Sequence, residues 1–318
     1  MALATGQLAV GAVAPGGLRR ALLNGQSGKA ESSPKKPMPK RPLGRTGYDV
    51  SLLALGGTGI INQHGSAAEA AALRIIDRAI DLGVNYIDTS PHYGSGLSEE
   101  RIGELMKLRR NEVFLATGAY DRSYDGTLAS VEQSLKRLQT DHLDLYQLHD
   151  VRQQQELERA FSRYGAVRAM QRLRDEGTVR FLGISGACDP AVLLSGIQHY
   201  PFDVILMSLN AADIHFRPFQ TELLQAAVRK GIGIMAMNVT ARGRLFRNDG
   251  LSSIEDALGY VFSFPVSATV VGVSHLRQIE QNVTIARRFE QPYNAEQLAA
   301  IEHLTEPCKD DANWLKLV

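Results

Sequence analysis

Asp88-Thr89-Ser90-Pro91-His92-Tyr93-Gly94 follows a short apolar run. A second run ends in Gln147-Leu148-His149-Asp150, and a third in Ser185-Gly186. A carboxyl, a phenol and an imidazole are groups that give and take protons. Alone, His149 reads as a buried histidine at a strand end, and Tyr93 as a tyrosine on a loop. With Asp88 they are the proton-carrying groups at these run ends, all of which a barrel would turn toward its open face. His92 and Asp150 read as substrate-side or solvated neighbours. Asp141, His142, Asp144 and His149 do not make a metal site, because strand alternation sends Asp144 and His149 to opposite faces. Cys188 and Cys308 form no CxxC pair, so neither zinc nor a disulfide framework is indicated.

The elements that must position these residues alternate. Strand candidates are Ser51–Leu55, Asn85–Asp88, Val113–Thr117, Leu143–His149, Phe181–Ser185, Val204–Leu209, Gly233–Met237 and Thr269–Val273. Helical periodicity fills the gaps: Ala67–Leu82, Ser98–Lys107, Thr127–Leu138, Arg159–Glu176, Ala191–Ile197, Phe219–Lys230, Ser253–Phe262 and Leu276–Phe289. Eight βα units predict an α/β fold, a (β/α)8 TIM barrel, whose strand C-termini face the site. A doubly wound sheet would want a GxGxxG turn, which Leu55-Gly56-Gly57-Thr58-Gly59 does not supply. Pro42–Val50 reads as an N-terminal hairpin plugging the barrel floor. Ala295–Leu304 and Trp314 read as a C-terminal extra helix and closing loop, the tryptophan either covering a substrate or packing on the barrel. The stretch Asp150–Ala166 reads as a specificity loop, Cys188 as buried, and Lys107–Arg110 as a solvated face.

A chain of 318 residues with 44% hydrophobic and 22% charged residues can bury a large core. A net charge of +1 gives no bulk attraction for nucleic acid or anionic membrane, and no apolar run reaches the ~18 residues of a membrane span. Residues 1–40 read as a flexible leader before a barrel over 41–318. Its Ala12-Val13-Ala14 resembles an export cleavage site, but Arg19-Arg20 follows the apolar stretch instead of preceding it. A cytoplasmic protein is expected, or an exported one if the leader is a signal remnant.

The stretches PLGRTGYDVSLLALGGTG from Pro42, GVNYIDTSPHYGSGLSEERIG from Gly83, DHLDLYQLH from Asp141, FLGIS from Phe181 and the run Val270–Asn282 resemble the aldo-keto reductase family. The resemblance covers roughly residues 40 to 305. It implies a barrel that binds a nicotinamide cofactor and reduces a carbonyl by hydride transfer. By motif, Asp88 and Tyr93 fall on the catalytic aspartate and tyrosine, and His149 on the catalytic histidine. Hydride attack builds negative charge on the carbonyl oxygen. A tyrosine can protonate it if its pKa of ~10 is lowered, while a neutral histidine orients the carbonyl.

The resemblance breaks at Gly118, followed by Ala119, where the family carries its catalytic lysine. That lysine pairs with the aspartate and lowers the tyrosine's pKa. Three accounts stand side by side. The first is a weakened reductase, which Gly118→Lys should improve. The second is a site repurposed for an imine substrate, and the third is rescue by another cation, Arg122 being nearest in sequence. The small pair should also open room for a bulky substrate.

Cofactor signals implied by the resemblance are Gly57 and Thr58, Ser185 with Gly186 in place of an asparagine, and Leu206 or Met207 for an absent glutamine. Met237 and Asn238 end a strand, and the segment Val239–Leu245, with Arg242, Gly243 and Arg244, runs along the pyrophosphate. Gly272, Ser274, Gln278 and Asn282 fall at the adenosine end, where a helix N-terminus suits phosphate. Arg277, near Gln278, favours NADP over NAD. The reading is an NAD(P)H-dependent oxidoreductase of a small carbonyl or imine. The alternatives are a redox-silent ligand-binding barrel, and a lyase or isomerase using Asp88 and Tyr93.

Overall fold

The computed structural model describes residues 36–61, 65–248 and 250–317, so residues 1–35 of the expected leader lie outside the described residues. The chain opens with β1 (Lys40–Pro42) and β2 (Asp49–Ser51), paired antiparallel with Arg41 opposite Val50. Eight parallel strands follow: β3 (Leu53–Gly56), β4 (Tyr86–Asp88), β5 (Phe114–Ala119), β6 (Leu143–Leu148), β7 (Val179–Gly186), β8 (Val204–Ser208), β9 (Gly233–Met237) and β10 (Ala268–Gly272). They pair in chain order and close when β10 meets β3. All eight strand expectations are met within a few residues, and the fold is the (β/α)8 barrel with its hairpin and C-terminal additions.

Alternation along each strand sends one set of side chains inside and the other toward the helices. Ala54, Tyr86, Phe114, Ala116, Leu145, Val204, Leu206, Met235, Ala268 and Val270 pack the interior, and the hairpin adds Leu43 and Val50 from below. Tyr86 stacks on Phe114 with centroids 5.2 Å apart, and Tyr48 meets Phe114 edge-on at 5.3 Å. Arg41 donates to the carbonyls of Phe262, Phe264 and Val266, and Arg45 to those of Pro201, Phe202 and Lys230, which fastens the hairpin to the floor. Gly44 has φ +53°, and a Cβ there would lie 2.2 Å from the Gly233 nitrogen, so only glycine allows this approach.

One helix expectation fails. Arg159–Glu176 is two helices, Gln154–Phe161 and Ala166–Asp175. The chain folds back at Gly165, where a Cβ would fall 2.3 Å from the carbonyl oxygens of Arg159 and Ala160. The stretch after β6 therefore holds a helix of its own and is no open loop. Arg110 is no solvated charge either. It reaches the buried Asp144 carboxylate at 2.7 Å, and Arg180 reaches it from the other side at 2.9 Å. After the helix Ala295–Thr305 the tail ends in a turn at Trp314–Lys316. Among the described residues no helix is long and apolar enough to cross a membrane.

Leu43 is fully buried at the centre of the floor. Leu43→Ala should lower unfolding free energy by about 2–5 kcal/mol, because the cavity cannot collapse against rigid strands. Urea unfolding checks it, with an unchanged slope expected.

Candidate active site

A cleft of about 600 Å3 opens over the C-terminal ends of the strands. Asp88, Tyr93 and His149 line it together, with Gly57, Thr58, Ser185, Met237, Asn238, Gly272, Ser274 and Gln278. Strand pleat explains the selection. Asp88 is inward on β4 two residues after Tyr86, and His149 follows Leu145 and Gln147 on the inward face of β6. The same alternation turns Leu206 to the cleft and Met207 outward into the helix-packed core.

Four expected positions do not line the cleft. Gly186 faces away from it, where a Cβ would lie 2.6 Å from the Val151 carbonyl oxygen. Asn282 is buried one helical turn beyond Gln278. Gly243 makes a left-handed turn, and Arg244 leaves it to lie 4.9 Å over the Trp314 ring. Arg277 borders a separate groove with Glu280, Gln281 and Arg288 between two outer helices, so it gives the cleft no cation. Cys188 is buried and absent from the lining. Trp314 packs beneath Arg242 and Arg244, and its neighbour Leu315 reaches the cleft.

Tyr120 and Arg152 line the cleft without having been expected there, beside Asp150, read as substrate-side or solvated, and Arg242 of the pyrophosphate segment. Tyr120 follows the end of β5 directly, and Asp150 and Arg152 lie in the loop after β6, a placement the barrel rule alone could have flagged. Tyr120 stacks on His92 at 3.9 Å, and its ring centre lies 5.2 Å from that of His149. Arg152 pairs with Asp150 at 2.8 Å. Arg242 is left-handed, with φ +56° and ψ +38°, inside a loop where Asn238 and Ala241 also have positive φ.

The electrostatics are set by burial. Asp88 is 2% exposed, and desolvation pushes its carboxyl up to about 7, while a hydrogen bond from Gln147 pulls the other way. Burial also holds the Tyr93 hydroxyl well above the usual range, and Asp88, Tyr120 and Asp150 reinforce it against the weaker pull of Arg242. Burial brings His149 down to about 4, so its imidazole is neutral near pH 7. Tyr93 meets His149 edge-on with centroids 5.6 Å apart. His149 Nδ1 is buried without a hydrogen-bond partner among the described residues.

Two expectations about Gly118 are overturned. No room opens there, because Gln147 occupies it: a Cβ on Gly118 would lie 2.4 Å from the Gln147 carbonyl oxygen. Arg122 is no substitute cation. Its guanidinium donates to the carbonyls of Ala119 and His149 and pairs with Glu156 at 2.9 Å, away from Asp88.

A nicotinamide dinucleotide fits the residues present. The cleft is within the size range of cofactor sites, the orphaned His149 Nδ1 stands beside Tyr93 at one end, and Ser274 and Gln278 mark a helix start at the other. Thr58, Ser185, Asn238, Thr240 and Arg242 are among the polar groups of the lining. Gln278 Oε1 already accepts the Ser274 and His275 N–H groups, which leaves the cation of Arg242 as the main charge for a phosphate.

A model of the aldo/keto reductase family matches residues 52–253. The chain is 28% identical to L-galactose dehydrogenase of Arabidopsis thaliana over 312 residues, covering 85% of this chain and 95% of that one. It is 27% identical to D-threo-aldose 1-dehydrogenase of a Pseudomonas species over 234 residues, 64% and 70% of the two chains. The holo form of aldo-keto reductase AKR11C1 from Bacillus halodurans superposes with a TM-score of 0.69 at 26% identity, over 84% of this chain and 96% of that one.

Asp88 binds its proton more tightly folded than unfolded, so its contribution to stability falls as pH rises from 3.8 to about 7. His149, lowered from 6.5 to about 4, loses stability in the opposite direction, as pH falls through that window. Comparing wild type with Asp88→Asn cancels the histidine. The variant should match wild type near pH 4 and exceed it by up to about 4 kcal/mol at pH 8, read by urea unfolding at each pH. Gly118→Lys should destabilise the fold by more than about 2 kcal/mol and fail to raise reductase activity, since its Cβ meets backbone.

Proposed function

The chain belongs to the aldo/keto reductase family, and on that premise we propose that it is an NADP(H)-dependent reductase of sugar-like aldehydes and ketones whose centre works without the family lysine. The convergence of Tyr93, His149 and Asp88 on one buried cleft floor carries this reading. The names of relatives support the substrate class, L-galactose and D-threo-aldose both being sugars. The exposed Tyr120 ring offers a face for sugar C–H groups, and the Asp150–Arg152 pair offers donors and acceptors for hydroxyls. NADP is supported by the S. pombe relative aldo-keto reductase yakc [NADP(+)], 29% identical over 209 residues, and by the Arg242 cation. NAD is the alternative carrier.

When bound, the reduced nicotinamide supplies the hydride. Tyr93 keeps its proton through neutral pH and gives it to the carbonyl oxygen as negative charge develops there. His149 stays neutral, so it contributes a hydrogen bond that orients the carbonyl without adding a charge. Asp88, on its protonated side below about pH 7, does not oppose the phenolate that forms on Tyr93. The same features favour reduction over oxidation, because oxidation would need Tyr93 to start as the phenolate. A second reading, imine reduction, draws on the height of the Tyr93 pKa. An imine that arrives protonated requires no acid from the site.

The experiment is NADPH and NADH oxidation by the purified protein with aldoses, simple aldehydes, ketones and cyclic imines, with cofactor binding followed in parallel. Sugar-like carbonyls should turn over, faster with NADPH, and the rate should rise as pH falls through about 7. Tyr93→Phe should lower kcat for carbonyls by about 100-fold or more with little change in KM. Turnover of imines alone would favour the second reading. Cofactor binding without any turnover would leave a redox-silent barrel, and no binding would overturn the proposal.

A further inference from the structure

Inside the barrel, Gln147 has glycine on both sides. Gly118 of β5 and Gly183 of β7 are its cross-strand partners. A Cβ on Gly118 would come 3.0 Å from Gln147 Cβ, and one on Gly183 3.1 Å from Gln147 Cγ. The two glycines leave a slot that the glutamine fills. Its Nε2 donates to Asp88 Oδ2 at 2.9 Å, while its Oε1, fully buried, has no hydrogen-bond partner among the described residues.

We propose that Gln147 is the positioning residue that stands in for the missing lysine, holding Asp88 in the cleft in either of its charge states. The inference rests on the reductase reading for its catalytic consequence, though not for its structural basis. An ammonium holds a carboxylate only when it is ionised. A primary amide has a donor end and an acceptor end. With Nε2 toward Asp88 it stabilises the carboxylate, and turned over it accepts the proton of the neutral acid. Neither arrangement changes the charge of the site.

The titratable groups that face Asp88 are Tyr86 on its own strand and Tyr93 in the following loop. The strands paired on either side oppose it with Gly56 and Ala116. The charge on Asp88 therefore acts chiefly on the two phenols. An ionised Asp88 opposes loss of the Tyr93 proton, and a neutral one does not. The lysine would fix Asp88 as the anion, whereas Gln147 lets it be neutral when Tyr93 donates.

The test follows the Asp88 Cγ carbon by NMR against pH, in the full chain without cofactor, for wild type, Gln147→Met and Gln147→Glu. Methionine keeps the length and removes both ends of the amide. Loss of the donor to the carboxylate should raise the Asp88 midpoint by about one pH unit. In turnover with a reducible carbonyl, kcat should fall by about tenfold with KM unchanged, and its pH limb should move up with the carbon midpoint. Glutamate keeps the heavy atoms in place and makes two carboxyls share one proton, so the pair should titrate in two steps with the upper one above the wild-type midpoint. The glutamate variant decides alone if the methionine variant does not fold. A wild-type midpoint in the folded variants overturns the proposal. The carbon titration needs no turnover, so a protein that reduces nothing would overturn the reductase reading while the midpoint still decides the role of Gln147.

Discussion

Closure of the barrel imposes a pleat that decides which residue of each strand can meet the cleft. Once β10 pairs with β3, no strand can slip by one residue without turning its whole inward set outward. The inward set begins with the hydrophobic layers over Leu43 and Val50 and ends, one or two residues higher, at the polar groups. Tyr86 and Asp88 are successive inward residues of one strand. Leu145, Gln147 and His149 are successive inward residues of another. The hydrophobic core and the candidate chemistry thus share a register, and the floor hairpin stabilises the site by fixing the layers beneath it.

On that scaffold the balance of charge at Asp88 becomes the controlling quantity. The carboxyl lies in a low-dielectric interior where a lone anion is expensive. The cation nearest Gly118 in sequence, Arg122, is committed to two backbone carbonyls and Glu156. Arg242 acts on Tyr93 from the mouth but is the weakest of the influences there. What remains is a neutral amide. A neutral amide cannot match the Coulomb stabilisation that an ammonium gives a carboxylate, and burial holds the Asp88 carboxyl up near 7.

The repeating part of this arrangement was legible in the sequence. Runs such as Leu143–His149 carry their own period, and polar residues at their ends mark the open face of a barrel. Asp88, Tyr93 and His149 could be grouped from spacing and from the motifs around them. The environment of Gly118 could not. Its meaning depends on Gln147 and Gly183, which sit beside it through strand register and not through proximity in the chain. Read alone, a glycine in place of a lysine suggests an empty space, whereas packing fills that space with a neighbouring strand's backbone and side chain. The break at Gly165 was hidden for a related reason, since helical periodicity continues across it while the backbone folds back.

The mouth of the cleft depends on contacts that no period encodes. Asn238, Ala241 and Arg242 all have left-handed backbones, a conformation that non-glycine residues adopt only when surroundings impose it. One such constraint is the tail. Lys316 pairs with Asp213, both nearly fully buried, and donates to the Phe216 carbonyl, while Asn313 donates to that of Ala212. This fastening sets Trp314 under Arg242 and Arg244 and brings Leu315 to the cleft. A buried lysine and aspartate contribute little net stability as a pair but strongly disfavour separation, since either one alone would be an uncompensated charge. The tail is therefore held in one place, and the strained loop that carries Arg242 is held against it.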